Sequence, residues 1–154
     1  ALQFVILTSC RSGEGRGALW SEIDFDKKLW TVPASRMKAA KEHVVPLSDQ
    51  AVELLQSVPR LSQYVFTAAR GGQLSDVVLS LIPKKLGHAA TVHGFRSSFK
   101  DFCRLHTSYA DELSELALAH VGTDSTRAAY ARDGLVDQRR LLMSDWAAFC
   151  AGGQ

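Results

Sequence analysis

The chain has 154 residues, of which 46% are hydrophobic, and its formal net charge is only +2. This length fits one domain with a sizeable core. No apolar run reaches the ~18–20 residues that span a bilayer, and Ala1–Leu7 lacks the flanking features of a signal peptide. The three cysteines form no C-x-x-C motif, which argues against a disulfide framework and a cysteine zinc site and leaves a reducing cytoplasm as the default. The net charge does not by itself indicate a nucleic-acid partner.

The first half of the chain is predicted to combine helices with a small antiparallel sheet. Ala1–Ser9 is typical of a buried helix, although its pattern also allows a strand. Ser12–Trp20 is expected to form a second helix, weakened by three glycines. A turn at Asp26–Lys28 and a long polar connection at Pro33–Glu42 separate the strands. The expected strands are Ile23–Phe25, Leu29–Val32 and His43–Pro46.

The second half is predicted to be helical. Ser48 can cap a helix whose apolar side chains recur at helical spacing from Ala51 to Val58. The other expected helices are Ser75–Leu86 (stopped near Pro83 or Gly87), Val92–Leu105, Ala110–Ala119, a short one around Tyr130, and Leu135–Cys150. The fold class is therefore α+β, mostly helical, with a small antiparallel three-stranded sheet.

The helix after Thr91 carries the most informative polar residues. His93, Arg96 and Lys100 fall on one stripe at 100° per residue, opposite an apolar stripe. We expect His93 and Arg96 to face outward in the first turn, where free N–H groups and the helix dipole favour an anion such as phosphate. A solvated polar face is the alternative. The apolar stripe, expected to face the core, consists of Phe95, Phe99 and Phe102.

Arg11 follows an apolar run, where a cation needs an acid or an anion beside it. Glu14 could be that acid, and this is the simpler interpretation. The glycines of Gly13–Gly17 resemble a phosphate-binding loop, but no Lys-Ser/Thr follows them, so we set that possibility aside.

Four further side chains are candidates whose ordinary structural roles are common. Lys38 and Lys41 lie on the polar connection, where lysines are usually solvated but can also reach over a ligand. His120 ends a predicted helix, a position typical of a packed or capping histidine. Tyr130 has small neighbours, which would leave its hydroxyl accessible, although most helical tyrosines only pack.

The order of these residues is more specific than any one of them. The ordered set is Arg11 with Glu14, Lys38, His93-Gly94-Phe95-Arg96, Leu118-Ala119-His120 and Tyr130. It resembles the active site of the tyrosine recombinases of the phage-integrase family. The flanking sequence segments resemble those of the phage and genomic-island subgroup of this family. These segments are Leu7–Glu14, Arg36–Lys38 with His43–Ser48, Ala128–Arg132 and Arg139–Met143. The resemblance covers nearly the whole chain.

The resemblance implies a reaction and a role for each residue. The family cuts and rejoins DNA through a 3′-phosphotyrosine, for integration or excision of a mobile element, and needs no cofactor or metal. The implied roles are Tyr130 as nucleophile, Arg11 and Arg96 as phosphate ligands, His120 as a further donor, Lys38 as general acid, His93 as proton acceptor or orienting residue, and Glu14 as support for the cluster.

The resemblance also implies partners and missing parts. Residues 1–154 would be a catalytic domain truncated on its N-terminal side, with the upstream DNA-binding domains absent. The expected partners are double-stranded DNA, DNA-bending accessory proteins and other protomers in a tetramer on DNA, where Leu135–Phe149 would dock on a neighbour. This chain alone would be a monomer, and the expected location is the bacterial cytoplasm, with the nucleoid. A type IB topoisomerase and a non-catalytic DNA-binding relative remain open as alternatives.

Three positions depart from the family's pattern. Gly15 stands where relatives usually carry an aliphatic residue, which inside a helix could cost ~1 kcal/mol. Phe102 replaces a common tryptophan, and Cys10 replaces a small apolar residue. These departures concern local stability rather than chemistry.

Overall fold

The computed structural model describes residues 1–120 and 135–152. This part of the chain contains seven α-helices and one three-stranded antiparallel sheet in the order β1-β2-β3, which confirms the predicted fold class. The strands are β1 (Ile23–Asp24), β2 (Leu29–Val32) and β3 (His43–Pro46). The helices are α1 (Leu2–Thr8), α2 (Ser12–Arg16), α3 (Asp49–Ser57), α4 (Asp76–Lys85), α5 (Gly94–His106), α6 (Asp111–Ala117) and α7 (Val136–Cys150).

The sheet follows the predicted strands closely. The bounds of β2 and β3 are those predicted, and β1 ends one residue early, at Asp24, whose carboxylate accepts a hydrogen bond from the backbone N–H of Lys27 in the turn. Trp30 of β2 pairs with Val45 of β3, and both side chains are buried on the same face. The sheet therefore presents one apolar face to the core.

Two hydrophobic clusters form the core. The first joins α1, α3, α4 and the sheet around Phe4 and Trp30, and the second joins α5, α6 and α7 around Phe99 and Trp146. Helix α1 contacts both, because Phe4 lies in the first cluster and Ile6 packs against the second. The C-terminal end of α1, which leads to Arg11, is thus held between the two clusters.

Helix α7 folds back on its own domain. At helical spacing its apolar stripe consists of Leu135, Leu142, Trp146 and Phe149. Leu142 and Trp146 are buried in the second cluster, and the indole N–H of Trp146 donates to the Ile6 carbonyl at 2.7 Å. Arg139, also buried, donates to the Val44 carbonyl at 2.7 Å. Phe149 remains 42% exposed. The apolar stripe is covered mainly within the chain, because burying it removes apolar surface from water.

Helix α2 is shorter than predicted. It ends at Arg16, Leu19 forms an isolated antiparallel bridge with Tyr64, and a 3₁₀ turn follows at Trp20–Glu22. Gly15 lies directly against α1: a Cβ there would sit 2.6 Å from Val5 Cγ2 and 3.0 Å from Cys10 Sγ. Only glycine at this position allows α1 and α2 to approach so closely. The Cys10 side chain lies in the space beside Gly15 that a larger residue would occupy.

The later helices lie close to their predicted positions, with small shifts at the ends. Helix α4 includes Pro83 in its last turn instead of stopping there, and Gly87, with a φ of +79°, closes it as predicted. Helix α5 begins two residues later than expected, and α6 ends two residues earlier. The short helix predicted around Tyr130 lies outside the described residues. None of the helices described is long and apolar enough to cross a membrane.

Candidate active site

Arg11 is held at the start of α2 by the carboxylate of Glu14. Glu14 accepts hydrogen bonds from the Arg11 backbone N–H at 2.8 Å and from its Nη1 at 3.0 Å. Glu14 is 4% exposed, whereas the Arg11 side chain is 30% exposed. The buried acid thus fixes the arginine while part of the Arg11 side chain stays exposed. The ion pair satisfies the simpler interpretation of Arg11 and leaves the phosphate-binding interpretation open.

Arg96 is buried, so the prediction that it faces outward with His93 is wrong. Its Nη1 donates to the Ser9 carbonyl at the end of α1, and its Nη2 donates to the Leu118 carbonyl at the end of α6, at 2.7 Å. The carbonyls at helix ends lack partners within the helix, and a guanidinium offers five donors to satisfy them. Arg96 joins two helix ends that are far apart in sequence.

The buried face of α5 differs from the predicted one. The stripe that faces the protein contains Arg96 with Phe99, Phe102 and Cys103. Phe95, predicted to lie in the core, is half-buried and belongs to neither hydrophobic cluster. The helix is thus rotated relative to the predicted orientation.

The two arginines converge on consecutive carbonyl groups. Nη2 of Arg11 lies 3.5 Å from the Ala119 carbonyl oxygen, next to the Leu118 carbonyl that Arg96 binds. Burial lowers the pKa of Arg96, and the positive charge of Arg11 lowers it further. Two cations this close repel each other, so an anion placed between them would relieve the repulsion.

His120 completes this cluster. Its Nε2 lies 3.2 Å from Nη2 of Arg96. The side chain reaches this point because Ala119 adopts a left-handed conformation (φ +50°) after the end of α6, and the His120 backbone N–H returns to the Glu115 carbonyl at 2.9 Å. The structure therefore brings together Arg11, Glu14, Arg96 and His120, four of the predicted site residues.

The other predicted residues are not brought into this cluster. Lys38 is exposed in the β2–β3 connection, and His93 is exposed at the start of α5. Within the described parts of the chain, neither side chain is hydrogen-bonded to the four clustered residues. Tyr130 lies outside the described residues. The convergence of Lys38, His93 and Tyr130 on the arginines stays a prediction.

Arg36, two residues before Lys38, connects the polar connection to the arginine cluster. Its Nη1 binds the carboxylate of Glu22, and its Nη2 donates to the backbone carbonyl of Glu14. Glu22 also accepts a hydrogen bond from the Trp30 indole at 2.9 Å. In the sequence, Arg36 stands out only as part of the segment Arg36–Lys38 that resembles the family. A buried acid is visible in sequence only as a charge near apolar residues, so this network has no clear local signal.

His43 is a second residue whose buried surroundings near the arginines the sequence did not reveal. Burial lowers its pKa from 6.5 to about 4, and the charges of Arg139, Arg11 and Arg96 also lower it, against a hydrogen bond with the Ala117 backbone. His43 is therefore neutral at pH 7, mainly because it is buried, and the nearby arginine charges act in the same direction. In the sequence, His43 is predicted as the first residue of a strand and as part of a segment that resembles the family, without any sign of its charged surroundings.

No metal site is evident in the described residues. Among residues 1–120 and 135–152, no group of three or more His, Cys, Asp or Glu side chains is placed to hold a metal ion. The side chains that meet at the candidate site are those of Arg11, Arg96, His120 and Glu14.

Comparison with known proteins identifies the family. The model of the phage integrase family matches residues 1–132. The chain belongs to the phage integrase family. Prophage integrase IntS of Escherichia coli K12 is 35% identical over 148 residues, which are 91% of this chain and 38% of IntS. The integrase of Shigella phage Sf6 is 34% identical, with the same coverage of both chains. The chain thus spans well under half the length of these relatives.

Solved structures share the fold of this family member. The integrase of mycobacterium phage Brujita matches with a TM-score of 0.72 and 19% identity, covering 93% of this chain and 49% of the phage protein. XerA recombinase matches with a TM-score of 0.59 and 18% identity, covering 90% of this chain and 55% of XerA. The fold is that of integrase and recombinase structures, which confirms the predicted tyrosine-recombinase fold.

Proposed function

We propose that this chain is the catalytic domain of an integrase that performs site-specific DNA recombination. It cuts and rejoins DNA through a 3′-phosphotyrosine at Tyr130, so that a mobile element is integrated or excised. The observation that carries the proposal is the convergence of Arg11 and Arg96 on neighbouring carbonyls beside His120. Membership of the phage integrase family supports the same activity.

Arg11, Arg96 and His120 bind the scissile phosphate. Phosphoryl transfer depends mainly on positioning and charge stabilisation, and guanidinium groups match the geometry of phosphate oxygens. The ligands are largely fixed before DNA arrives, because Glu14 holds Arg11 and two helix-end carbonyls hold Arg96. Fixed donors need little rearrangement when charge develops in the transition state.

Tyr130, Lys38 and His93 move the protons of the reaction. The Tyr130 hydroxyl oxygen attacks the phosphorus and forms the phosphotyrosine bond, while the bond from phosphorus to the 5′ oxygen breaks. His93 accepts or steers the tyrosine proton, and Lys38 donates a proton to the 5′ oxygen as general acid. Rejoining reverses these steps, so the bond energy is retained and ATP is not required.

The cationic side chains perform the charge stabilisation that a divalent metal performs in many nucleases. Cleavage should therefore persist in excess EDTA. The measurement is the yield of covalent adduct with EDTA and with added magnesium. Activity that EDTA removes and magnesium restores would contradict this part of the mechanism.

The partners and setting follow from the proposed reaction. The substrate is double-stranded DNA. The structure of the Tn1549 transposon integrase, which was solved in complex with transposon right end DNA, has a similar fold (TM-score 0.52) and supports this choice. In the full-length protein, upstream DNA-binding domains, a tetramer on DNA and DNA-bending proteins complete the reaction in the bacterial cytoplasm, at the nucleoid.

Covalent trapping tests the proposal. The full-length protein carrying this chain is incubated with a pool of nicked duplexes of randomised sequence, and adducts that survive denaturation are isolated and sequenced. Wild-type protein should yield adducts enriched in a common sequence, and Tyr130→Phe should yield none while binding DNA nearly as well. An adduct with Tyr130→Phe would move the nucleophile to Tyr109 or Tyr64.

The same experiment separates the alternatives. Adducts without sequence preference, together with relaxation of supercoiled plasmid that has no specific site, would favour a type IB topoisomerase. Binding of DNA with no adduct would favour a non-catalytic relative. The presence of all the predicted site residues argues against such a loss of activity.

A further inference from the structure

His120 has a carboxylate partner on the side away from the arginines. Oε2 of Glu115 lies 2.9 Å from Nδ1 of His120, while Nε2 of the same ring faces Arg96. The ring is thus contacted at both nitrogens. A residue that only filled space at the end of α6 would not need a charged partner on Nδ1.

The end of α6 produces this contact from local geometry. The left-handed Ala119 turns the chain back, so that His120 lies over the last turn of the helix, and its backbone N–H binds the Glu115 carbonyl. The Ala119 N–H binds the Leu116 carbonyl at 3.1 Å, which completes a Schellman ending. This ending brings residues five apart side by side, so Glu115 and His120 meet without a long-range contact.

Lys100 of α5 fixes the carboxylate. Its Nζ donates to Glu115 Oε1 at 2.5 Å, to Asp111 Oδ1 at 2.8 Å and to Ser114 Oγ at 2.7 Å. Burial alone would raise the pKa of Glu115, but hydrogen bonds from Lys100 and His120 outweigh it and hold the pKa below its ordinary value of 4.5. Glu115 is therefore an ionised acceptor at neutral pH.

Both contacts require the same protonation pattern of the His120 ring. A carboxylate only accepts hydrogen bonds, so Nδ1 must carry a proton. A guanidinium only donates, so the neutral ring accepts from Arg96 at Nε2. The tautomer with Nδ1–H is the one that satisfies both neighbours, and it directs Nε2 towards the arginine cluster.

We propose that Glu115 is the positioning residue of His120, and that Lys100 holds Glu115 in place. Glu115 keeps the ring oriented with Nε2 towards the phosphate site formed by Arg11 and Arg96, an inference that rests on the proposed function. To donate to a phosphate oxygen, Nε2 takes a proton from solvent, and Glu115 then faces an imidazolium that its charge stabilises. The arrangement follows the logic by which an acid orients a catalytic histidine.

The orientation can be tested on this chain without DNA. With ¹⁵N-labelled histidine, NMR should show His120 protonated at Nδ1, with that proton protected from exchange with solvent. Glu115→Leu should remove the protection, and Glu115→Gln should retain it because the amide oxygen still accepts. Glu112→Leu, an exposed position on the same helix, is the matched control. An unprotonated Nδ1 in the neutral wild-type ring, or protection unchanged in Glu115→Leu, would overturn the proposal.

The effect on the reaction is tested in the full-length protein with the trapping substrate. Glu115→Leu should slow adduct formation about tenfold or more, as is typical for loss of a residue that orients a reactive group. His120→Leu should slow it further, and the double variant should be no slower than His120→Leu alone. Multiplying effects would show that Glu115 does not act through His120. If wild-type protein forms no adduct at all, the proposed function fails, while the NMR result still decides the pairing of Glu115 with His120.

Discussion

The arginine cluster (Arg11, Glu14, Arg96 and His120) and the β2–β3 connection that carries Lys38 differ in how firmly the fold holds their side chains. Arg11 and Arg96 are fixed by Glu14 and by helix-end carbonyls, and little of Arg96 reaches solvent. Lys38, in the connection between β2 and β3, is exposed, although Arg36 anchors the chain two residues before it. The proposed phosphate ligands are thus held in place by the fold, whereas the side chain of the proposed proton donor is exposed to solvent.

This difference fits the two proposed chemical roles, charge stabilisation by the arginines and proton donation by Lys38. Charge stabilisation gains most from groups that are already in place, because fixed donors avoid the cost of reorganisation. A general acid needs to contact the leaving oxygen only during one step, and its geometry can tighten when substrate binds. Substitution of Arg96 should therefore affect both folding and activity, and substitution of the exposed Lys38 should affect activity alone.

Arg96→Met should give the largest combined effect. The rate of adduct formation should fall about 10³-fold, the upper range for loss of one stabilising donor. The free energy of unfolding should fall by about 1–3 kcal/mol, because the Ser9 and Leu118 carbonyls lose their donor. Trapping kinetics and urea unfolding measure the two effects. Arg104→Met, at an exposed position of the same helix, is the control. If the free energy of unfolding of Arg96→Met equalled that of the wild type, the fold would not depend on Arg96 and the proposed difference from Lys38 would be wrong.

Lys38→Ala should affect activity without affecting stability. Loss of a general acid should slow adduct formation by roughly 100-fold or more, while the free energy of unfolding should change by less than about 0.5 kcal/mol. A substrate with a 5′-thiol leaving group needs no proton and should restore most of the rate. Lys41→Ala, in the same connection, should react normally. If Lys41→Ala shows the defect instead, Lys41 is the acid.

His43 should make the domain less stable in mild acid. The unfolded chain takes up a proton below about pH 6.5, whereas the folded chain does so only near its pKa of about 4. Stability should therefore be constant with respect to this group above pH 6.5 and fall as the pH drops towards 4, by about 2 kcal/mol at pH 5. Urea unfolding of wild type and His43→Gln at pH 7.5 and pH 5 measures this. Equal losses in both proteins would show that the folded protein does not hold the pKa of His43 below its ordinary value.

Gly15→Ala should give the smallest effect, a loss of about 1 kcal/mol. Alanine favours the helix by up to ~1 kcal/mol, but its Cβ would meet Val5 Cγ2 at 2.6 Å, and such overpacking typically costs about 1–3 kcal/mol. Gly13→Ala in the same helix meets only the flexible end of Arg16, at 3.9 Å, and should be neutral or stabilising. Denaturant unfolding of both variants tests this. A stabilised Gly15→Ala would show that α1 and α2 can separate at little cost.

Sequence patterns correctly predicted those features of the fold that depend on residues close together in the chain. The bounds of β2 and β3, the Ser48 cap of α3 and the closing Gly87 all depend on residues close in sequence, and the structure has each of them where it was predicted. The ordered set of candidate residues also depends only on identity and order. The sequence could therefore predict the fold class and the family without any contact information.

The sequence by itself determined which residues are present and in what order, and the tertiary structure decided which of them meet. Helical periodicity placed Arg96 on a polar face, but its partner Ser9 is 87 residues away, and only folding shows that carbonyls of α1 and α6 replace water around the charge. The same holds for Arg36 with Glu22 and for the docking of α7 on its own domain. A charged side chain is stable in a protein interior only when partners compensate its lost hydration, and those partners are brought to it by the fold.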